Sequence, residues 1–430
     1  MGDRTRVRNG LLAAALAVLP VLPLHAQQTE SNATPIGTAD GKEAVIDVHS
    51  RRFAMPDLPP LTPPSAEKQA RFFNIRPSIA LLGDWTNFGQ DAANVRQVGR
   101  LDDVFQVRSA RLTLFGSLGH SYKVGFQVGG EYKGFDTDPE RNWQLTDLSL
   151  TFPIGDRTRL TVGKTKETFS YEMVGDAANL PQSERVLNAF FVSRNMGLRM
   201  MHVFGATKRA TLSYGVYNDS LDINSTTNRG WDVSARATGL VWDDPATKRY
   251  LHLGLAWRHV ASDGQLRYRS RPETNVGANF VDTGTIAAEG AEHVGVEALL
   301  SLGAVSVLSE YVTARVDAPT RGNPHFNGWY ITGSWVLTGE ARPYDRNVGY
   351  ARRVIPTGYW GAPELVARIS RVDLDDGGVS GGHYFKTYAG LNWWATTRWK
   401  YGLGWGHTWL DSKGEQGQAD AVLARIQWVY

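Results

Sequence analysis

From residue 72 onward the chain repeats one pattern that few architectures can satisfy: short runs in which every second residue is apolar. Phe73, Ile75, Ile79 and Leu81 alternate with Asn74, Arg76, Ser78 and Ala80. Val124, Phe126 and Val128 alternate with Gly125, Gln127 and Gly129, and Leu148, Leu150 and Phe152 with Ser149 and Thr151. Leu251, Leu253, Leu255 and Trp257 form another such run, as do Trp399, Tyr401, Leu403 and Trp405. Successive side chains of an extended strand point to opposite faces, so each run describes a strand with one apolar and one polar face. Many such strands, with little helix-period sequence between them, make a sandwich or a barrel.

The polar face separates the two. A soluble sandwich turns its apolar faces inward on a shared dry core. A membrane barrel turns them to lipid and lines a wet lumen with the polar ones. Trp143, Trp231, Trp393, Trp394 and Trp399 fall near strand ends, where rings with one apolar and one polar side gather at a membrane boundary. Glycines and charges on the polar face suit water, so the barrel is the stronger reading. A membrane strand takes about 9–11 residues and its turn and loop about as many again, which predicts about 16 antiparallel strands over 72–430. The weakest candidate strand lies near Arg199 to Gly205. The last run, Val422, Ala424, Ile426, Trp428 and Tyr430, ends the chain on an aromatic residue, as barrel-closing strands do. Turns such as Pro153 to Asp156 and Asp243-Asp244-Pro245 read as periplasmic. The longer segments 168–195 and 272–290 read as outer loops or an inward-folded constriction.

The head of the chain is different material. Arg4, Arg6 and Arg8, the apolar run Leu11 to Leu19 and Leu24-His25-Ala26 form a signal peptide over 1–26, too short in its apolar part to span a bilayer. Residues 27–71 carry Pro56, Pro59, Pro60, Pro63 and Pro64 among polar residues and read as a flexible periplasmic lead. Beyond residue 26 no run of apolar residues is long enough for a membrane helix. The 430 residues include no cysteine, so disulfides hold nothing together. The 46 Lys and Arg against 43 Asp and Glu give no basic face of the kind nucleic acid requires. The expected place is the outer membrane of a Gram-negative bacterium, with outer-membrane lipid as the surrounding partner.

Particular stretches resemble a known family. Gly328 to Tyr344, GWYITGSWVLTGEARPY, is similar to a hallmark segment of the phosphate-selective porins O and P. So are Glu364 to Arg371, ELVARISR, the Gly390-Leu391-Asn392-Trp393 that follows, Arg108 to Leu112, and Tyr268 to Glu273. The resemblance covers most of residues 72–430. It implies a sixteen-stranded homotrimeric porin passing phosphate-like anions, with no cofactor. Within it, Met173 to Asn179 of the long central loop has its own sequence.

The residue chemistry fits that expectation. Guanidinium groups replace the water an anion sheds in a narrow lumen, and Arg meets an oxyanion with two donors at once. Arg267, Arg269 and Arg271 are spaced by two and so share one side of an extended segment. That ladder resembles the arginine run with which the family guides phosphate; a solvated loop edge is the plainer alternative. Arg76, Arg111, Arg236, Arg258, Arg368, Arg398 and Arg425 fall on polar faces by the same parity, with Asp84, Glu131, Asp147, Asp232, Glu297, Glu310 and Glu364. Many of these are candidates for salt bridges across the wall. Lys164 and Lys166 precede the central loop and add positive field there. No nucleophile elbow or metal-ligand spacing appears, and His202, His252, His259 and His293 are scattered. A general or organic-anion porin remains open, as do two readings from other classes: a lipase-like barrel enzyme and an adhesin.

Overall fold

The computed structural model describes residues 72–120, 123–132, 143–218 and 230–430; the expected signal peptide, 1–26, and the expected lead, 27–71, lie outside the described residues. Sixteen strands join edge to edge in chain order and close into one antiparallel barrel. They are β1 Phe73–Gln90, β2 Val104–Leu118, β3 Val124–Tyr132, β4 Trp143–Pro153, β5 Thr158–Thr165, β6 Asn195–Phe204, β7 Ala210–Asn218 and β8 Trp231–Asp244. The second half is β9 Arg249–Leu266, β10 Ile286–Leu302, β11 Val305–Asp317, β12 His325–Val336, β13 Ala362–Asp376, β14 Val379–Trp394, β15 Trp399–Ser412 and β16 Glu415–Val429. The weak segment near Arg199 is a full strand, β6, paired on both sides. Closure comes from β1 and β16, in register from Ala80 opposite Val429 to Gln90 opposite Ala419. Tyr430 extends that seam by exchanging backbone hydrogen bonds with Ile79.

A closed barrel leaves no unpaired edge, which is what a sheet in lipid requires. Its outer face carries the apolar runs: Leu253, Leu255, Val294, Val296, Ile331, Leu365, Leu391 and Leu403 are all exposed. Rings stand at the two ends of these runs, among them Trp143, Trp231, Trp335, Trp393, Trp399 and Trp409. Trp394 departs from its expected place in this girdle. It points inward, fully buried, and donates through Nε1 to Glu364 at 2.9 Å, because strand parity puts it opposite to its neighbour Trp393. The described helices are short, and none is long and apolar enough to cross a membrane.

Inside, the two halves of the wall differ. β2, β4, β5, β7 and β8 present Thr113, Ser149, Thr151, Thr161, Thr211, Ser213 and Thr238. β11 to β14 present Val312, Ala314, Val316, Phe326, Tyr330, Val372, Leu374 and Tyr384, all buried. The expectation of a polar inner face therefore holds throughout one side and in part on the other. There these apolar residues share the inner face with Glu310, Thr332, Arg368, Ser370 and Lys386, and loops folded into the lumen pack against them.

Candidate functional site

Among the described residues, three loops enter the barrel. The first, residues 166–194 between β5 and β6, runs around the inside of the wall. Glu167 meets Arg258 of β9 at 2.9 Å, and Phe169 packs edge-on to His293 of β10. The single helical turn Tyr171–Val174 begins on β11, where Glu310 accepts the Tyr171 N–H at 2.8 Å. That contact gives an otherwise orphaned helix-end donor an acceptor. The loop then crosses β14 to β16, whose Asn392, Lys400, Arg425 and Gln427 donate to the carbonyls of Pro181, Leu180, Ser183 and Ala178. It returns with Leu187 and Phe190 against Gly328 of β12, where an added Cβ would stand 2.8 Å from both side chains. Burial of Phe169, Val186, Leu187 and Phe190 stabilises this docking by roughly 1.5–3 kcal/mol each.

The second loop, 267–285 between β9 and β10, carries a two-residue ribbon, Arg269–Ser270 paired with Val281–Asp282. Tyr268 and Ser270 face inward and are held. Tyr268 packs on Phe190 and Phe326, and the Ser270 hydroxyl lies 2.8 Å from Asn188 and 3.0 Å from Tyr384. Arg267, Arg269 and Arg271 take the opposite parity, as their spacing predicts. Arg267 is 47% exposed but paired in a two-pronged manner with Asp282, at 2.8 and 2.6 Å. Arg269 is exposed, and Arg271, half-exposed, uses only Nε, on the Gly277 carbonyl at 2.8 Å.

The third loop, 337–361, joins β12 to β13 at the end where β1 begins and β16 ends, and folds up into the lumen. Its ribbon pairs Tyr344–Asp345 with Tyr350–Ala351. Arg236 of β8 donates to the carbonyls of Val348 and Gly349, at 3.0 and 2.6 Å. Gly349 has φ 76°, and its Cα sits so close to Thr238 that no side chain fits there. This loop meets the first one in the middle of the barrel. Arg342 donates to the Asn179 carbonyl at 2.9 Å, and the Ala351 N–H donates to the Tyr171 hydroxyl at 2.8 Å.

Basic groups concentrate on the polar side. Lys166, Arg185 and Arg194 of the first loop and Arg111 of β2 surround the carboxylate of Asp176, and Arg353 of the third loop approaches it too. Arg194 is 13% exposed and meets Asp147 at 3.1 Å; Arg111 is 20% exposed and meets Glu131 at 3.5 Å. Four cations thus act on the Asp176 carboxylate, and Arg185 among them also feels Glu184 and Glu172. Burial pushes the Lys166 ammonium down to about 7, Asp176 pulls it back, and Arg194, Arg185 and Arg111 add to the fall. Its Nζ donates to the Gly175 carbonyl at 3.1 Å. Burial raises the Asp176 carboxyl, but Lys166 and the three arginines outweigh it and hold it below its ordinary value.

The predicted residues divide by place. Arg111 and Lys166 belong to this cluster. Arg236, Arg258, Arg368 and Arg425 face inward as expected, yet each is buried and bound to loop or wall carboxylates, so each ties a loop to a strand. Arg236 holds Glu297 at 2.5 Å, Arg258 holds Glu167 and Asp232, and Arg425 holds Asp84 and Glu184. Lys164 is buried in β5. Arg76 stands exposed near the start of β1. Arg398 lies not on a strand but in the turn after β14, stacked 4.8 Å over the Tyr430 ring. Sequence reading missed Arg185, Arg194, Arg342 and Arg353. They lie in loops, where no period assigns a side; only their number between strands marks them.

A protein from Caulobacter vibrioides, uncharacterized in function, is 26% identical over 339 residues, covering 72% of this chain and 67% of its own. Among solved structures, the anion-selective porin from Comamonas acidovorans matches with a TM-score of 0.52 at 13% identity, over 83% of this chain and 100% of that one. The trimer form of OmpT from Vibrio cholerae matches at 0.51 and 9% identity, over 84% and 100%. At such identities these structures share the fold. The model of the family phosphate-selective porin O and P matches residues 83–430, which takes in nearly the whole barrel. The chain belongs to that family and is a porin of the Gram-negative outer membrane.

Proposed function

We propose that this porin passes small anions, phosphate-like oxyanions among them, by passive diffusion, and that it works as a homotrimer. The observation that carries the reading is the excess of cations around Asp176 on the polar side of the lumen. The apolar side is filled by the loops, so a hydrated solute travels along β2 to β7. There the positive field of Arg111, Lys166, Arg185 and Arg194 offsets the water it sheds. Arg269 and Arg271 collect anions at the outer mouth and pass them inward, and binding stays weak because each site is shared with carboxylates. The family's description and the anion-selective Comamonas porin agree with this reading. The trimer form of OmpT, with the same fold, is what supports the trimer.

The test is electrical. In planar bilayers under a potassium chloride gradient the reversal potential should show anion preference, and inorganic phosphate should block the chloride current. Replacing Arg267, Arg269 and Arg271 together by Ala should weaken both. Arg269→Ala alone should account for more of the loss than Arg267→Ala, whose charge Asp282 already neutralises. Lysine at all three positions should restore anion preference better than phosphate block, since an ammonium lacks the two-donor geometry. A wild-type protein that prefers cations would end the proposal. Block by phosphate no stronger than by organic anions of equal charge would replace it with a general anion porin.

A further inference from the structure

Arg368 sits at mid-height on β13 with no exposure, and it touches both outer loops at once. Its Nη2 donates to Glu172 of the first loop at 2.8 Å. Its Nε stands 2.5 Å from Glu273 of the second. The guanidinium lies over the Tyr330 ring at 4.0 Å, and Nη1 reaches the Thr332 hydroxyl at 3.2 Å, so β12 fixes its plane. Both carboxylates organise their own loops. Glu172 accepts the N–H groups of Val186 and Leu187, at 3.0 and 3.1 Å, and so folds the two ends of the inner circuit together. Glu273 also faces Lys386 of β14 at 3.5 Å, and the same lysine donates to the Pro272 carbonyl at 2.6 Å. One cation therefore joins the loop that bears the Asp176 cluster to the loop that bears the arginine ladder.

We infer that Arg368 is a latch that makes these two loops move as one body, and so positions the ladder over the cluster without touching the solute. The wall could hold each loop separately, and most of its other ion pairs do. Among the described residues this is the one buried charge that the two outer loops share, and their direct contacts, Ser270 on Asn188 and Val186, and Tyr268 on Phe190, lie nearby. A buried cation that is removed leaves Glu172 without its counter-charge and Glu273 with Lys386 alone, so the link between the two loops fails with it. The inference rests on the anion-porin reading for its meaning in transport, but the coupling is measured without it.

The chain has no cysteine, which makes the test clean. Arg368→Met in the full-length protein should still give a heat-modifiable barrel, but its single-channel current should flicker between sublevels where the wild type is steady. Phosphate block should weaken several-fold, while the reversal potential of the fully open level keeps its wild-type value, because no solute-facing charge has been removed. Adding Ser270→Cys and Asn188→Cys and oxidising should restore steady current, and a reductant should remove it again. Should Arg368→Met fail to fold, Glu273→Gln frees the second loop alone and should flicker with smaller steps. Steady current in whichever variant folds overturns the latch, as does flicker that the crosslink leaves untouched. Loss of anion preference in the open level in step with block would instead make Arg368 a lining residue. Absence of anion preference in the wild type fails the transport reading and leaves the flicker result standing.

Discussion

Lys166 shows what burial does to a charged group that has been given carbonyls instead of a full carboxylate partner. Its ammonium is held down to about 7, so it is charged below that pH and loses its charge above it. Anion preference, read from chloride reversal potentials, should therefore fall as pH rises from 6 to 8.5, and Lys166→Met should flatten the dependence. Chloride is the right ion, because phosphate changes its own charge in the same window. The stability term runs the other way. A lysine whose folded value is lowered costs least when neutral, so the loop docks more firmly as pH rises from about 7 toward the free value of 10.5. Glu184 is the opposite case. Burial raises its carboxyl, but Arg108 and Arg425 hold it down to about 2, so its contribution to docking is present at neutral pH and fades only as acid approaches that value. A pH profile with no step near 7 in the wild type would remove Lys166 from the passage.

At the scale of elements, the third loop is the clearest lever. Arg236 binds its tip through Val348 and Gly349 while also holding Glu297, so Arg236→Ala strands a buried carboxylate and frees the tip. The cost should be about 3–5 kcal/mol at the site, and single-channel conductance should rise as the loop leaves the lumen; unchanged conductance would mean the tip never obstructs it. The strands were legible because alternation carries over any sequence that must face lipid on one side. Even the inward direction of Arg236, Arg258 and Arg368 followed from parity. Their partners did not, since Arg258 finds Glu167 from a loop 91 residues earlier in the chain. The third loop was hidden for a related reason: between Leu337 and Gly361 the alternation stops, and nothing local says whether such a segment hangs outside or folds within. The inward apolar side chains of Val312, Ala314 and Val316 were the available signal, because an apolar stretch facing a lumen needs a cover.

For the whole molecule, lipid on one side and loops on the other set different tolerances on the same wall. Leu255, outward on β9, should lose about 2–4 kcal/mol on replacement by Arg if it sits near the bilayer midplane, measurable as a shift in urea unfolding from liposomes. Thr151, inward on the polar side, should accept small polar replacements with little change; equal losses at both would mean the outer face does not meet lipid.

The seam between β1 and β16 has a consequence for how such a molecule comes to exist. Arg425 of β16 grips Asp84 across the seam and Glu184 of the inner loop at the same time, and Gln427, two residues on, holds the Ala178 carbonyl. The inward side chains of the last strand thus find all their partners only with the loop inside to receive them. A loop lying against the wall gives the first and last strands a common partner across the seam, and so helps hold the two edges together. The contents of the barrel are in this sense the mould on which it shuts.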